Sequence, residues 1–443
     1  MNKKTFPKGV HPPDKKELSK EFKIEVFPAG KTVVIPLHQH TGAPAEPLVK
    51  KKDRVLKGQK IGEAKGFISA NVHSPVSGTV KSVEPHVTPL GKNVLSVIIE
   101  NDGEEELFPE IKPLKDDPHS YSPEEVRNAV REAGIVGLGG AAFPTSVKLS
   151  PPKEYPVDTV ILNGAECEPY LTTDYRLMLE RADELIAGAE ILKETVGASK
   201  IYLGVEDNKP DVIELYERKL KGRADFEVAP LKTKYPQGGE KMLIKAILGR
   251  EVPTGGLPFH VEVLVQNVGT TYAVYETLKT GMPLIERVLT ITGEGVKEHK
   301  NLQVRIGTMF KDIIEFAGGY VGKPGKLIMG GPMMGISQWT DVVPVLKATS
   351  GILVLPEEEL PKKKEYNCIG CNSCTEHCPM NLVPTRIVTL SKNERFEDAK
   401  DWGLMDCIEC GTCSYVCPAN IPLVQWIRFG KSEYIKLKKK SEK

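Results

Sequence analysis

The chain has 443 residues, and 60 Lys and Arg balance 59 Asp and Glu, which gives a formal net charge of +1. This balance argues against a dedicated nucleic-acid-binding protein, which would carry a basic excess. Hydrophobic residues make up 40% of the chain, but no apolar run approaches the roughly 20 residues that a membrane-spanning helix needs. The length predicts about three or four domains.

Two segments precede an acidic linker. Residues 1–25 are rich in Lys and Pro and are predicted to form an extended arm. Residues 26–110 alternate short apolar runs with turn signals, which is typical of an all-β domain. Within them, residues 55–62 and 74–80 resemble the barrel-sandwich hybrid fold of biotinyl and lipoyl carriers.

The lysine that such carriers modify lies at a hairpin tip, between methionines in biotinyl carriers. Here Lys65 lies between Ala64 and Gly66 without methionines, and no matching tip is present. The domain is therefore predicted to be structural or to dock a partner. A carrier role is the minor alternative.

The linker over residues 103–120 leads to Ser122 and Glu125, a capping box that predicts a helix. A glycine-rich loop over residues 134–148 follows this helix. Glycine N–H groups can approach an anion closely, and a lysine adds positive charge. The candidate anion-binding residues of the loop are Gly137, Gly139, Gly140 and Lys148. Because a helix rather than a strand precedes the loop, it is not a Rossmann fingerprint, and by itself it could be a tight structural turn.

Four segments, in this order, resemble the NADH-oxidising, FMN-bearing subunit of respiratory complex I. They are residues 134–148, 163–169, 235–241 and 265–270. The resemblance implies a Rossmann-like α/β domain over residues 120–285 that binds FMN and NADH.

By that resemblance, each segment supplies one part of the cofactor site. The loop glycines and Lys148 would hold the phosphate and ribityl chain of FMN. The further residues implied for FMN are Asn163, Asn267 and Thr270. The residues implied for the nicotinamide nucleotide are Glu166, Glu168 and Glu240.

Other roles stay open for some of these residues. The two asparagines could cap helices or form turns, and the first two glutamates could form a solvated acidic loop. Cys167, between those glutamates, is expected to be a small buried residue without a partner. Two positions depart from the family pattern, since Ala165 replaces an aspartate and Gly239 replaces the first of two glutamates. These departures leave the detailed nucleotide contacts undefined.

Residues 286–350 are predicted to form a small α+β unit. Residues 288–296 indicate a strand and turn, and residues 308–316 indicate a short amphipathic helix. The unit resembles the ubiquitin-like SLBB module. Its glycine–proline–methionine string over residues 327–335 is predicted to be an interdomain turn, and packing near a cofactor is the alternative.

Two copies of one cysteine spacing, C-x2-C-x2-C-x3-C-P, lie near the end of the sequence. The first is Cys368, Cys371, Cys374 and Cys378, and the second is Cys407, Cys410, Cys413 and Cys417. This spacing is typical of ferredoxins with two [4Fe-4S] clusters, in which the fourth cysteine of each run binds the other cluster. Structural zinc usually takes two separated pairs of ligands, and disulfides suit secreted chains, so both are disfavoured.

The same rule predicts the ligands of each cluster. One cluster takes Cys368, Cys371, Cys374 and Cys417, and the other takes Cys407, Cys410, Cys413 and Cys378. Residues between the two runs have a helical pattern and resemble a helical ferredoxin module, which we place at residues 360–430. The basic tail, residues 431–443, is predicted to bind a membrane surface or partner, or to be a frayed terminus.

Taken in order, these modules resemble the C subunit of the Rnf complex, a membrane-bound ferredoxin:NAD+ oxidoreductase that couples electron flow to ion pumping. The resemblance implies two [4Fe-4S] clusters and FMN as cofactors and NAD(H) as substrate, with no side-chain acid or base. It implies a peripheral location on the cytoplasmic side of the inner membrane. The implied partners are other subunits of the complex, including an iron–sulfur subunit, with ferredoxin reached indirectly.

Two alternatives remain from the sequence. A soluble flavin and iron–sulfur reductase of the cobalamin-reductase type shares these modules. The departures at Ala165 and Gly239 also keep open a scaffold that conducts electrons without binding nicotinamide.

Overall fold

The computed structural model describes residues 3–360 and 364–441. Residues 1–2 of the predicted arm, residues 361–363 of the predicted ferredoxin domain and residues 442–443 of the predicted tail lie outside the described part.

The N-terminal arm is packed against other parts of the chain. A short 3-10 helix, Lys16–Leu18, precedes strand β1, Ile24–Val26. Phe6 is 1% exposed and Val10 is 5% exposed, so the arm buries its apolar side chains. Strand β1 pairs with residues 301–303, which belong to a sheet far along the chain. It is not part of the two sheets that follow it directly in sequence.

The next segment forms two antiparallel sheets around one core. Its strands are β2 (Thr32–Pro36), β3 (Glu46–Pro47), β4 (Arg54–Val55), β5 (Lys60–Glu63), β6 (Val72–His73), β7 (Gly78–Val87) and β8 (Asn93–Asn101). One sheet has the order β2-β8-β7-β4 and the other has the order β3-β5-β6. Apolar residues from both sheets, such as Ile35, Ile61 and Val97, fill the space between them. This arrangement fits the predicted barrel-sandwich hybrid.

The following segment, which we call the α/β domain, has a four-stranded parallel sheet between helices. Its helices are α1 (Pro123–Glu132), α2 (Thr145–Lys148), α3 (Thr173–Glu180), α4 (Ala182–Val196), α5 (Pro210–Lys219), α6 (Glu240–Leu248) and α7 (Val268–Thr280). Its strands are β9 (Thr159–Asn163), β10 (Lys200–Glu206), β11 (Phe226–Leu231) and β12 (Val263–Asn267). The predicted capping box is present, since the Ser122 and Glu125 side chains cap each other's backbone N–H at the start of α1. The strand order is β11-β10-β9-β12, with all neighbours parallel.

A mixed six-stranded sheet forms the next domain. It contains β13 (Glu286–Thr292), β14 (Lys300–Arg305), β15 (Pro324–Met329), β16 (Ile336–Gln338) and β17 (Gly351–Pro356), with helix α8 (Phe310–Phe316). The order β1-β14-β13-β17-β15-β16 shows that the N-terminal arm supplies the edge strand. The predicted helix and strand are both present.

The last domain, which we call the cysteine domain, is helical. It contains α9 (Ser373–Glu376), α10 (Pro384–Lys392), α11 (Phe396–Asp401), α12 (Thr412–Tyr415) and α13 (Leu423–Ser441). The short helices α9 and α12 each contain the third cysteine of a run. Helix α13 continues to Ser441, so the described part of the predicted tail is helical. In the part of the chain that the structure describes, no helix is both long and apolar enough to cross a membrane.

Candidate cofactor sites

The order in which the chain adds strands to the parallel sheet reverses at β9, so that β9 and β12 lie side by side. The chain goes from β9 outward through β10 to β11 and then returns to the other side of β9 as β12. Ligands of open α/β sheets bind beyond the carboxyl ends of the strands at such a switch point. Asn163 and Asn267 end these two strands and are paired in register. The topology therefore brings together the two asparagines that the sequence analysis assigned to the flavin.

The glycine loop lies against the start of α7 beside this switch point. The Leu138 N–H donates to Thr270 Oγ1 at 2.8 Å. A Cβ on Gly139 would lie 3.4 Å from Cβ of Asn267, whereas a Cβ on Gly140, at φ +119°, would meet nothing within 4 Å. The space beside Gly140 is thus left open by the protein, next to the N-terminus of a 13-residue helix. A phosphate fits this combination of glycine backbone and helix N-terminus.

Both asparagine side chains also make contacts within the protein. Asn267 Oδ1 accepts from the Thr270 N–H at 3.3 Å, which makes Asn267 the N-cap of α7. Asn163 Nδ2 donates to the Gly238 carbonyl at 2.8 Å, and its Oδ1 accepts from the Ala165 N–H at 3.3 Å. The capping and turn roles that the sequence left open are therefore present.

Asp174 is a site residue that the sequence analysis missed. Its Oδ2 accepts from Asn267 Nδ2 at 2.7 Å, beside the switch point. Burial raises the pKa of Asp174, and the neighbouring Glu166 carboxylate raises it further. No motif marks Asp174 in the sequence, because an acidic residue in the first turn of a helix is usually solvent-exposed and interacts with the helix dipole.

Glu166 and Glu168 are not a solvated acidic loop. The Glu166 carboxylate accepts from the backbone N–H groups of Asp174 and Tyr175 at 2.7 and 3.2 Å, and Lys16 Nζ lies 4.0 Å away. Glu168 accepts from two backbone N–H groups of the mixed-sheet domain, at 3.0 and 2.8 Å. Burial raises the pKa of Glu168 to about 6 and also raises the pKa of Glu166. Both carboxylates are occupied by donors of the protein, so their predicted contact with a nucleotide stays a prediction.

Lys148 and Glu240 are brought together across the sheet edge. Lys148 Nζ donates to Glu240 Oε1 at 2.5 Å and to the Val265 carbonyl at 2.7 Å. The Glu240 side chain is 44% exposed, against 5% for Glu166. Among the three glutamates implied for the nucleotide, Glu240 is the one with a solvent-facing carboxylate.

The eight cysteines of the two runs divide between two cavities of the cysteine domain. Cys368, Cys371, Cys374 and Cys417 line one cavity. Cys378, Cys407, Cys410 and Cys413 line the other. We call these the outer and inner cysteine sets. Each cavity takes the fourth cysteine of the opposite run, and each offers four thiols, which fits the donor set of a [4Fe-4S] cluster.

The inner set lies against the α/β domain. The Tyr235 hydroxyl donates to the Cys410 carbonyl at 2.7 Å. A Cβ on Gly239 would lie 3.8 Å from Cδ1 of Ile408. An apolar cluster joins the two domains, and its members are Val10, Cys167, Tyr235, Met333, Ile408, Cys410 and Val416. We call this cluster the junction.

The glycine–proline–methionine string is more than an interdomain turn, because it packs at the junction. The N–H groups of Met333 and Met334 are the donors to Glu168. A Cβ on Gly411, in the inner cysteine loop, would lie 2.7 Å from the Met333 carbonyl oxygen. The alternative interpretation of this string is therefore the one that the structure supports.

Cys167 lies in the junction, which also contains Cys410 of the inner set. Its Sγ accepts from the Gly238 N–H at 3.3 Å, and burial raises its pKa. Cys167 is therefore half-buried, and it has a hydrogen-bond partner that the sequence did not indicate.

Four family models match the chain in the same order as these domains. They are the RnfC barrel sandwich hybrid domain at residues 4–104, the Nuo51 FMN-binding domain at 130–276, the SLBB domain at 288–337 and the 4Fe-4S dicluster domain at 367–421. The cofactors of the chain are accordingly FMN and two [4Fe-4S] clusters. The two cysteine cavities fit the clusters, and the open space beside Gly140 at the start of α7 fits the phosphate of FMN.

Curated relatives match nearly the whole chain. The C subunit of the proton-translocating ferredoxin:NAD(+) oxidoreductase complex of Clostridium ljungdahlii is 47% identical over 97% of this chain and 94% of its own length. The C subunit of the Na(+)-translocating complex of Acetobacterium woodii is 46% identical over 98% of both chains. The C subunit of the ion-translocating oxidoreductase complex of Rhodobacter capsulatus is 44% identical over 96% of this chain and 82% of its own. The chain belongs to the RnfC family, the C subunits of ion-translocating oxidoreductase complexes.

Proposed function

We propose that this chain is the peripheral subunit that passes electrons between [4Fe-4S] clusters, FMN and NAD(H) in a membrane-bound ferredoxin:NAD+ oxidoreductase. The relatives' names supply the reaction class. The order of sites in this chain supports the path.

The observation that carries the proposal is the unequal placement of the two cysteine sets. The inner set touches the α/β domain through Tyr235 and the junction. In the outer set, Cys368 and Cys371 are exposed. A one-electron path that starts at the surface would therefore meet the outer set first, then the inner set, then the flavin domain.

We propose the cluster ligands on the same geometry. The outer cluster is held by Cys368, Cys371, Cys374 and Cys417, and the inner cluster is held by Cys378, Cys407, Cys410 and Cys413. Because each cluster then takes one ligand from the opposite run, the two clusters also tie the cysteine domain together.

Residues at the switch point are proposed to hold FMN. The N–H groups of Gly139 and Gly140 and the start of α7 would hold the phosphate, with Lys148 and Thr270 beside them. Gly137 would shape the loop, because its N–H donates to the Phe143 carbonyl at 2.8 Å. Asn163 and Asn267 orient the ring side. FMN supplies the conversion between one-electron transfer with clusters and two-electron transfer with nicotinamide. The chain's own residues bind and orient the two reactants.

Glu240 is the proposed acidic contact for the nicotinamide nucleotide, since a carboxylate can accept from ribose hydroxyls. It is exposed and is held in place by Lys148. Glu166 and Glu168 have a structural role in this proposal. The Glu166 carboxylate accepts from backbone N–H groups at the start of α3, and the Glu168 carboxylate accepts from those of the glycine–proline–methionine string.

The location and partners follow from the family. We propose that the chain docks on the cytoplasmic side of the inner membrane, against the membrane subunits of its complex and an iron–sulfur subunit. Ferredoxin would then exchange electrons with this chain indirectly.

The test is anaerobic stopped-flow mixing of the FMN- and cluster-loaded protein with NADH. Rapid loss of the flavin absorbance is expected, followed by cluster reduction in the electron paramagnetic resonance spectrum. Glu240→Gln should raise the NADH concentration at half-maximal rate by about tenfold or more, because a charged hydrogen bond is worth about 1.5–3 kcal/mol. Glu251→Gln is the matched control, since Glu251 is an exposed glutamate paired with Lys245 at 2.7 Å.

No flavin bleaching by NADH in the loaded wild-type protein would contradict the proposal and favour an electron-conducting scaffold. Purification of the native protein free of all membrane subunits would instead favour a soluble reductase.

A further inference from the structure

The N-terminal segment, residues 3–18, crosses the gap between the α/β domain and the cysteine domain. We call it the strap. On the α/β side, the Lys4 N–H donates to the Pro230 carbonyl at 2.9 Å, and the Lys232 N–H donates to the Lys4 carbonyl at 2.9 Å. Further along, Val10 and Tyr235 exchange backbone hydrogen bonds of 2.9 and 2.8 Å. The strap thus continues along the outer edge of the parallel sheet, beyond β11.

On its other side the strap contacts the cysteine domain beside the inner set. The Gly9 N–H donates to the His377 carbonyl at 3.2 Å, one residue before Cys378. Lys8 Nζ donates to the Thr375 carbonyl at 3.1 Å. Val10 shares the junction with Cys410. Two inner-set cysteines, from both runs, are therefore next to strap residues.

The strap is held firmly at both ends. Phe6 is 1% exposed, and Lys234 Nζ lies 4.5 Å from the centre of its ring. At the other end, Lys16 Nζ donates to the carbonyls of Glu168 and Leu171 at 3.0 and 2.5 Å. A segment anchored in this way can transmit the position of the α/β domain to the cysteine domain.

We infer that the strap fixes the distance between the inner cluster and the flavin, and that Lys8 and Gly9 are its positioning residues. Neither residue lines a cysteine cavity or belongs to the residues proposed for FMN. The transfer that depends on them moves one electron from reduced FMN to the oxidised inner cluster, and no bond forms or breaks. This inference uses the FMN and cluster content of the chain and does not depend on its reaction with NAD(H).

Gly9 provides a sharp test. Its φ is +84°, and a Cβ there would lie 2.6 Å from the Tyr235 carbonyl oxygen and 2.9 Å from Cζ of Phe6. Gly9→Ala must therefore shift the strap away from Tyr235. Gly222 is the matched control, since its φ is +87° and a Cβ there would meet nothing within 4 Å. Gly222→Ala carries the same backbone penalty without the clash.

The experiment uses the full chain loaded with FMN and clusters, without NADH. Light excites the bound FMN, and triethanolamine as sacrificial donor reduces it. Flavin absorbance then reports FMN reduction, and rapid-freeze electron paramagnetic resonance reports arrival of the electron at the inner cluster. In Gly9→Ala the second rate should fall several-fold, because the rate of electron transfer decreases steeply as the distance between the flavin and the inner cluster grows. FMN content, iron content and the first rate should stay at wild-type values.

Lys8→Met removes only one hydrogen bond and serves if Gly9→Ala does not fold. Its second rate should fall less than in Gly9→Ala, at unchanged cofactor content, because the strap loses one contact with the cysteine domain and keeps the others. Gly222→Ala should transfer electrons at the wild-type rate. If Lys8→Met, or a folded Gly9→Ala, transfers electrons at the wild-type rate, the strap does not position the clusters and the inference is overturned.

Discussion

The outer and inner cysteine sets have the same sequence spacing but different surroundings. Cys368 and Cys371 of the outer set are exposed. Cys410 and Cys413 of the inner set are 8% exposed, and Lys431 Nζ donates to the Cys407 carbonyl at 2.5 Å. The potential of an iron–sulfur cluster depends on hydrogen bonds, net charge and solvent exposure as well as on its ligands. The spacing therefore specifies two clusters, and the fold leaves two ligands of the outer set exposed while it covers the inner set more completely.

The largest expected difference between the two sets follows removal of one ligand from each. Cys410→Ser should lose the inner cluster, about half of the iron, and all electron transfer from photoreduced FMN. Cys371→Ser should lose a similar amount of iron from the outer cluster but keep the transfer from FMN to the inner cluster. Iron and sulfide analysis with flash photoreduction of both variants checks this. Cys167→Ser is the control, because Cys167 lies in neither cavity and should keep all iron.

The opposite result, transfer blocked by Cys371→Ser and retained by Cys410→Ser, would reverse the assignment of inner and outer clusters.

Solvent access should also separate the two clusters. The outer cluster should lose its spectral signal to an oxidant and an iron chelator about tenfold faster than the inner one, since the protein shell around a metal site controls access to it. Electron paramagnetic resonance of samples quenched during ferricyanide and EDTA treatment should show two phases. A single phase shared by both clusters would show that the difference in exposure has no chemical consequence.

Local sequence signals predicted the parts of the fold that depend on neighbours in sequence. The cysteine runs, the Ser122–Glu125 capping box and the glycine loop each combine residues within about one or two turns of chain, so their spacing carries the geometry. Asn163 and Asn267 needed the resemblance, because nothing in either local segment shows that β9 and β12 are adjacent.

Contacts between distant segments could not be predicted in this way. The arm was expected to be extended, but its packing as β1 and the strap was not predicted, because its partners lie about 150 residues or more away. The sequence analysis missed Asp174 and left open a solvated loop for Glu166, because burial between two domains decides the environment of both carboxyls. Sequence patterns report which face of an element is apolar, but not which polar residue a second domain will cover.

A third region, around the buried Lys347, is expected to make the free energy of unfolding depend on pH rather than on iron. Lys347 is 1% exposed and donates to the carbonyls of Asn71 and Gly134 at 2.7 and 2.6 Å, which joins three domains far from the cysteines. Burial lowers the pKa of Lys347 from 10.5 to about 7, and His40 and His73 nearby also have lowered pKa values. The unfolded chain therefore holds this proton more tightly than the folded chain between pH 7 and 10.5.

In that window the free energy of unfolding should rise by about 1.4 kcal/mol per pH unit, because the unfolded chain binds one proton more than the folded chain. This gain in stability should be lost as the pH falls to about 7. Lys347→Met should flatten this slope and, at high pH, cost about 1–3 kcal/mol for the unpaired carbonyls. Urea unfolding of the wild type and the variant at several pH values between 7 and 9 measures both effects. Equal slopes in the two proteins would show that Lys347 keeps its proton when folded.

The smallest effect should appear in the potential of the inner cluster. Lys431 bonds the Cys407 carbonyl and Glu409 Oε1 at 2.5 and 3.0 Å, so its charge lies beside the inner set. Reduction adds negative charge to a cluster, and Lys431→Met removes a nearby positive charge and leaves Glu409 less neutralised. The inner potential should therefore become more negative, on the order of 50 mV, or about a tenfold change in a one-electron equilibrium.

Lys436→Met, on the same helix but paired with Glu433, is the control. In a redox titration the outer potential should stay unchanged in both variants, because solvent screens the outer set from this charge. An equal shift of both clusters would mean that Lys431 acts through the net charge of the domain rather than through its contact with the inner set.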